Sequence, residues 1–170
     1  MSASPEAPQV TRQDSVPVEE AHGFRFDDGA VPAQALTYAP ASLVRVGSAT
    51  FVAVSGHTGT DADTADCELA QAVSLQTTAV LDKIQSVLRS IGGTMDDVTR
   101  VRVHVCAPLT KDVFEAIHDA RRAYFTGTRK PASTLVRVAA LVRPDALIEI
   151  DADAVITDES TSRETGTDQS

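Results

Sequence analysis

The apolar positions along this chain switch between a period of two and a period near 3.6, and each switch marks an element. Leu43-Val44-Arg45-Val46, a Gly47-Ser48-Ala49 turn and Thr50-Phe51-Val52-Ala53-Val54-Ser55 predict a β-hairpin. Gly56 through Asp66 is polar and contains glycine, which predicts a loop. From Glu68 to Ile91 the apolar residues Leu69, Val73, Val80, Ile84, Val87, Leu88 and Ile91 form one helical stripe, and Gly92-Gly93 stops it. Val98 to Val105 alternates: Val101, Val103 and Val105 point one way, and Arg100, Arg102, His104 and Cys106 the other. Thr110 is placed to cap a second helix running to about Phe125, with Val113, Ile117, Ala120 and Tyr124 as its stripe. Ser133 to Leu141 and Leu147 to Ile156 are the last two strands.

The predicted order is β-β-α-β-α-β-β, an α+β fold of one sheet with two helices on one face. Thr134, Val136, Val138 and Ala140 share one face of the penultimate strand; Ile148, Ile150, Ala152, Ala154 and Ile156 share one face of the closing strand. The sheet face away from the helices then carries Leu135, Leu141, Leu147 and Val155 among Arg137, Glu149, Asp151 and Asp153. A half-apolar face left uncovered predicts self-association.

Residues 1–35 are rich in Pro, Ala, Glu and Asp without a sustained period and read as a flexible N-terminal arm, although Phe24 and Phe26 have the spacing to dock on the domain. Residues 36–157 form the folded domain, and residues 158–170 an acidic disordered tail.

Composition narrows the function. The formal net charge is -9, from 15 Lys+Arg against 24 Asp+Glu. Phosphate binding needs clustered cations, no basic patch is read from the sequence, and nucleic acid is therefore not expected as a partner. Cys67 and Cys106 stand in unrelated contexts with no Cys/His ligand spacing, so a zinc site is not expected. Two reduced thiols, no apolar run of membrane-spanning length and no secretory leader predict a cytoplasmic protein. No nucleophile–base pair is visible that would make Ser133 a catalytic serine.

Lys130-Pro131-Ala132-Ser133-Thr134-Leu135-Val136, followed by Ile148-Glu149-Ile150, resembles the C-terminal motif of the RidA-like (YjgF) family. Val44-Arg45-Val46-Gly47 with Ser55-Gly56 resembles the family's first hairpin, and Gly92-Gly93-Thr94-Met95-Asp96-Asp97-Val98 its turn after the first helix. The resemblance spans roughly Tyr38 to Thr157. It implies a fold similar to small chorismate mutases, a homotrimer with clefts between subunits, and cofactor-independent hydrolysis of small reactive imines or enamines. It also implies that Ser55, Gly56 and Glu149 line the cleft, with Glu149 positioning water or moving protons.

One position departs from the pattern. Imine-active members carry Arg directly after Pro-Ala, where this chain has Ser133. A hydroxyl gives one hydrogen bond and no charge; loss of a charge-assisted bond to a carboxylate costs about 1.5–3 kcal/mol. Free 2-aminoacrylate is therefore not the expected substrate. Arg102, beside His104 on the non-helix face of the central strand, is the candidate replacement, with Arg100 behind it; the alternative is that these arginines meet solvent or acids such as Asp151 and Asp153. His57, after Ser55-Gly56, is placed to shuttle protons or to be a surface histidine. Ser133 and Thr134 are candidate cleft hydroxyls. Two functions remain: an enzyme acting on a C=N or enamine intermediate, and a non-catalytic metabolite-binding or regulatory protein using the same clefts.

Overall fold

The computed structural model describes residues 37–157 and the backbone of residues 10–13, 24–26 and 29–31. Three short strands lie in the predicted arm: β1 (Val10–Gln13), β2 (Phe24–Phe26) and β3 (Gly29–Val31). The docking expected of Phe24 and Phe26, the remainder of the arm and the tail at 158–170 lie outside the described residues. The domain proper runs β4 (Ala41–Val46), β5 (Ala49–Thr58), α1 (Leu69–Ser90), β6 (Val98–Val105), α2 (Lys111–Arg122), β7 (Ala132–Arg137) and β8 (Ile148–Thr157). The main sheet has the order β1-β4-β5-β8-β6-β7, with only β6 and β7 parallel; β2 and β3 form a separate pair.

The alternation of β8 decides where the core lies. Ile148, Ile150, Ala152 and Ala154 are at most 1% exposed and meet the apolar sides of both helices. Val52 and Val54 of β5 and Val101, Val103 and Val105 of β6 join them, under Val73, Val80, Leu81, Ile84 and Leu88 of α1 and Val113 and Ile117 of α2. Gly92, at φ 80°, takes the left-handed conformation that ends α1. Its amide donates to the Arg89 carbonyl at 3.1 Å, and that of Gly93 to Leu88 at 2.8 Å. At α2 the Thr110 hydroxyl accepts from the Val113 amide at 3.3 Å, the expected cap.

Two features depart from the expected pattern. The first strand pair is longer than predicted: β5 continues through Ser55-Gly56-His57-Thr58, with an irregularity between Val54 and His57. Pairing with β8 carries this polar stretch as strand, so it is no loop. The second is the facing of β7. Its register sets Ser133, Leu135 and Arg137 beside Val101, Val103 and Val105, on the helix side. Thr134 and Val136 fall beside Arg102 and His104, on the open side. Leu135 and Leu147 pack against the core, and Leu141 lies beyond the strand. The open face therefore gains its apolar character from Phe51, 50% exposed, Val44 and Val136, with Val155. A period of two fixes which residues share a face; for an edge strand bearing hydroxyls on both faces it does not fix which face is buried.

Two contacts tie α1 to the loops. The buried Gln76 amide donates to the Asp145 carbonyl at 3.0 Å and its oxygen accepts from the Leu147 amide at 2.8 Å, satisfying the backbone that enters β8. Gly59 lies directly against the Gln76 backbone, where an added Cβ would come within 2.6 Å of the Gln76 Cα. Gly59→Ala is therefore expected to lower stability by about 1–3 kcal/mol or more, because backbone meets it and cannot swing aside. Equilibrium denaturation of the two proteins measures the difference; equal midpoints would show that α1 does not press on this loop.

Candidate functional site

Glu149 is the second residue of β8, and its alternation with Ile148 and Ile150 turns it to the open face. It stands directly opposite His104 of β6 and Thr58 of β5. Tyr38, before β4, is close enough for the Glu149 charge to act on its hydroxyl. An added Cβ at Gly56 would come within 2.6 Å of Glu149 Oε1, so the missing side chain at position 56 leaves the room that the carboxyl occupies. Ser55 is fixed from two directions: its hydroxyl donates to the Ala39 carbonyl at 2.6 Å and its amide to Pro40 at 2.8 Å. Beside it, a shallow hollow of about 390 Å³ is lined by Tyr38, Ala39, Ser42, Ala53, Val54 and Ser55.

The electrostatics single out Glu149. Burial pushes its pKa above the ordinary glutamate value; His104 opposes that rise, and Asp151 adds to it. The Tyr38 hydroxyl is pushed up as well, by burial first and then by the Glu149 charge. His104 holds its Nδ1 buried with no hydrogen-bond partner among the described residues. A carboxyl inclined to keep its proton thus lies across the strand from an imidazole with a ring nitrogen to spare, an arrangement suited to moving protons.

The other candidates separate. Arg102 faces the open side, but its guanidinium is committed within the chain: Nη1 pairs with Asp151 and Nη2 with Asp153 at 2.6 Å. These hydrogen bonds raise its pKa, that to Asp153 most. Arg102 is thus not held ready for a ligand carboxylate, and the acids anticipated as its alternative partners are on the neighbouring strand of the same chain. His57 is paired with Ile150, which turns it to the helix side of the sheet, away from Glu149, with Nε2 buried. The irregularity at Ser55-Gly56 causes this turn: one extra residue reverses the facing of everything after it. Thr134 is on the open face beside Arg102; Ser133 is on the helix side, where it accepts a hydrogen bond from Arg121 Nη2 at 3.1 Å. The structure therefore brings Glu149, His104, Ser55 and Gly56 together and sets His57 and Ser133 apart from them. Among the described residues no group of three or more His, Cys, Asp or Glu is placed to hold a metal ion. No helix among them is long and apolar enough to cross a membrane.

Sequence reasoning missed Arg121, which is 8% exposed, its Nη1 without a hydrogen-bond partner among the described residues. Its signal was its spacing of four from Ile117, which continues the apolar stripe of α2.

The fold and this constellation define a class. The chain belongs to the YjgF/RidA family: the sequence pattern described as endoribonuclease L-PSP matches residues 31–156. Among solved structures it is similar to Rv2704 of Mycobacterium tuberculosis, a member of the YjgF/YER057c/UK114 family. The two are 28% identical with a TM-score of 0.58, and the match covers 87% of this chain and 100% of that one. PA3499 of Pseudomonas aeruginosa, a protein of unknown function, is 29% identical with a TM-score of 0.58, over 86% of this chain and 92% of that one. RidA of the Antarctic bacterium Psychrobacter sp. is 27% identical with a TM-score of 0.55, over 71% of this chain and 89% of that one.

The raised Glu149 pKa fixes the sign of a pH effect. A carboxyl that holds its proton more tightly when folded favours the fold at low pH and loses that contribution as pH rises through its folded pKa. Glu149→Gln is therefore expected to leave stability unchanged in acid and to raise it relative to wild type at neutral pH. Denaturation midpoints across pH 4–8 measure this, and a variant less stable at neutral pH would contradict it. Gly56→Ala is expected to push the Glu149 carboxyl aside at little cost in stability, since the atom it meets ends a flexible side chain. A large loss of stability would show that the carboxyl is instead locked in place.

Proposed function

We propose that this protein hydrolyses a small reactive imine or enamine, with Glu149 and His104 as the groups that move protons. The observation carrying the reading is the Glu149 carboxyl, half-buried with a raised pKa, facing His104 across the strand pair and given room by Gly56. In the reaction, water adds to the carbon of the C=N bond and the nitrogen leaves as ammonia. The Glu149 carboxylate takes a proton from the water as its oxygen bonds to carbon. The protonated carboxyl gives that proton to the imine nitrogen as the C=N bond becomes single; Glu149 or His104 then passes the proton of the new hydroxyl to the nitrogen, which leaves as ammonia as the C–N bond breaks and the carbonyl forms. A carboxyl whose pKa is raised by burial suits a group that takes and returns a proton in one cycle. Tyr38 and Ser55 bound the hollow in which the substrate sits.

The working assembly is a homotrimer of the cytoplasm. Phe51, Val136 and Val155 on the open face supply the apolar surface for subunit contact, and the clefts between subunits hold the substrate. Cleavage of RNA fits this face poorly, since Glu149, Asp151 and Asp153 line it and the chain carries a net charge of -9. A second reading has a specific observation behind it. Ser133 replaces the family's arginine and Arg102 is occupied by Asp151 and Asp153, which favours a metabolite-binding protein that uses the same clefts without turnover.

The test generates imines of varied side chains with an amino-acid oxidase and follows release of ammonia and keto acid. Wild type is expected to exceed the buffer rate for at least one imine. Glu149→Gln should lower that acceleration by about 10²–10⁴-fold, the range for loss of a general acid–base group. His104→Gln should lower it less and move the pH optimum. No acceleration over a broad panel, with saturable binding retained, would replace the enzyme by the binding protein. A monomer in sedimentation would remove the shared cleft.

A further inference from the structure

Helix α1 buries two polar side chains in its apolar stripe, Gln76 and Thr77. Thr77 bonds within its own helix, from its hydroxyl to the Val73 carbonyl at 2.6 Å. Gln76 does not. It is 2% exposed, and a buried primary amide costs stability unless both of its ends are bonded. Both are bonded here, to one short segment of another part of the chain. The side-chain nitrogen donates to the Asp145 carbonyl at 3.0 Å, and the side-chain oxygen accepts from the Leu147 amide at 2.8 Å. An apolar residue would suit the stripe as well; an amide adds a donor and an acceptor for residues 145 and 147.

That segment leads directly into Glu149. The ladder with β5 ends at Thr58, opposite Glu149, so the residues before Glu149 take their partners from β6 and α1. The Leu147 carbonyl accepts from the Cys106 amide at 2.8 Å, and the Leu147 amide goes to Gln76. Gln76 also meets the end of β5: Gly59, next to Thr58, lies against its backbone. Two turns further along α1, Lys83 Nζ donates to the Thr58 carbonyl at 2.8 Å. Helix α1 thus fixes the ends of two strands, and those ends meet at the Thr58–Glu149 pair. The carboxyl has little latitude there, since Gly56 leaves room for it and no more. A shift at the start of β8 would carry it off its place opposite His104.

We infer that Gln76 is a positioning residue: by holding Asp145 and Leu147 from the helix side of the sheet, it sets the Glu149 carboxyl opposite His104 and beside Gly56. Gln76 touches no substrate, and its part in catalysis rests on the reading that Glu149 moves the protons. A misplacement of about 1 Å at a reacting group can cost about 10²-fold in rate, so two hydrogen bonds remote from the chemistry suffice to matter.

The test uses the full chain with two readouts. One is kcat and KM for an imine that the wild type hydrolyses; the other is the carbon-13 NMR titration midpoint of the Glu149 carboxyl. Gln76→Leu keeps the bulk and removes donor and acceptor. It is expected to lower kcat by about 10- to 100-fold with KM changed less than about threefold. It should also lower the Glu149 midpoint toward the ordinary glutamate value, as the carboxyl loses its buried place. Thr77→Val removes a buried hydrogen bond of the same helix; it should cost stability and leave both readouts unchanged. Gln76→Glu supplies the rescue. While the introduced carboxyl is protonated it can donate to Asp145 and accept from Leu147; once ionised it has no donor. Its kcat relative to wild type should be near one in the protonated state and fall about tenfold as that carboxyl ionises, which the same titration follows. Should Gln76→Leu fail to fold, Gln76→Glu decides alone.

The positioning role is overturned if Gln76→Leu does not lower the Glu149 midpoint, or if Thr77→Val moves both readouts as far. It is overturned as well if ionisation of the carboxyl in Gln76→Glu leaves both readouts at their wild-type values. A wild type that hydrolyses no imine, with the midpoint still falling in Gln76→Leu, keeps the positioning role and removes the reaction. Turnover by wild type that Gln76→Leu retains in full keeps the reaction and removes the positioning role.

Discussion

Strand β8 is hydrogen-bonded on both sides, to β5 and to β6, and its side chains alternate between the core and the open face. Burying Ile148, Ile150, Ala152 and Ala154 under two helices fixes the strand's facing, and the same act turns Glu149, Asp151 and Asp153 outward. A slip of one residue would bury three carboxylates, so the register is held by the cost of desolvating charge as much as by the apolar contacts. The position of Glu149 is therefore a consequence of the core. It is set by the most secure part of the fold, and the flanking strands bring His104 and Gly56 to it.

The neighbouring charges divide the open face into two regions. Arg102 pairs with both Asp151 and Asp153, which leaves Glu149 beyond the ion pairs and opposite His104. Half-buried and without an arginine partner, the Glu149 carboxyl has its pKa raised by burial. The arginine expected to receive a ligand is instead paired with two acids of the neighbouring strand.

Most of the fold could be read from the sequence because the core elements carry strong periods. The stripe Val73, Val80, Ile84, Val87, Leu88 and the alternation of Val101, Val103 and Val105 have one interpretation each. Glu149 was legible for the same reason, lying between two isoleucines of an alternating strand. What the sequence left open rests on single-residue events. The irregularity at Ser55-Gly56 turns His57 to the helix side, and no period announces an extra residue. The facing of β7 depends on its parallel register with β6, a long-range fact, and its Ser-Thr-Leu-Val pattern suits either face. Arg121 occupies a position in the α2 stripe that reads as a break in the apolar pattern, and only the packed structure shows it to be buried.

The central claim is that burial in the fold raises the Glu149 pKa above that of an ordinary glutamate. The direct measurement is a carbon-13 NMR titration of the Glu149 side-chain carboxyl in the folded protein, assigned against Glu149→Gln. The account predicts a midpoint above the ordinary glutamate value, and a fall in that midpoint when Gly56→Ala moves the carboxyl toward solvent. A wild-type midpoint at or below that ordinary value would contradict it.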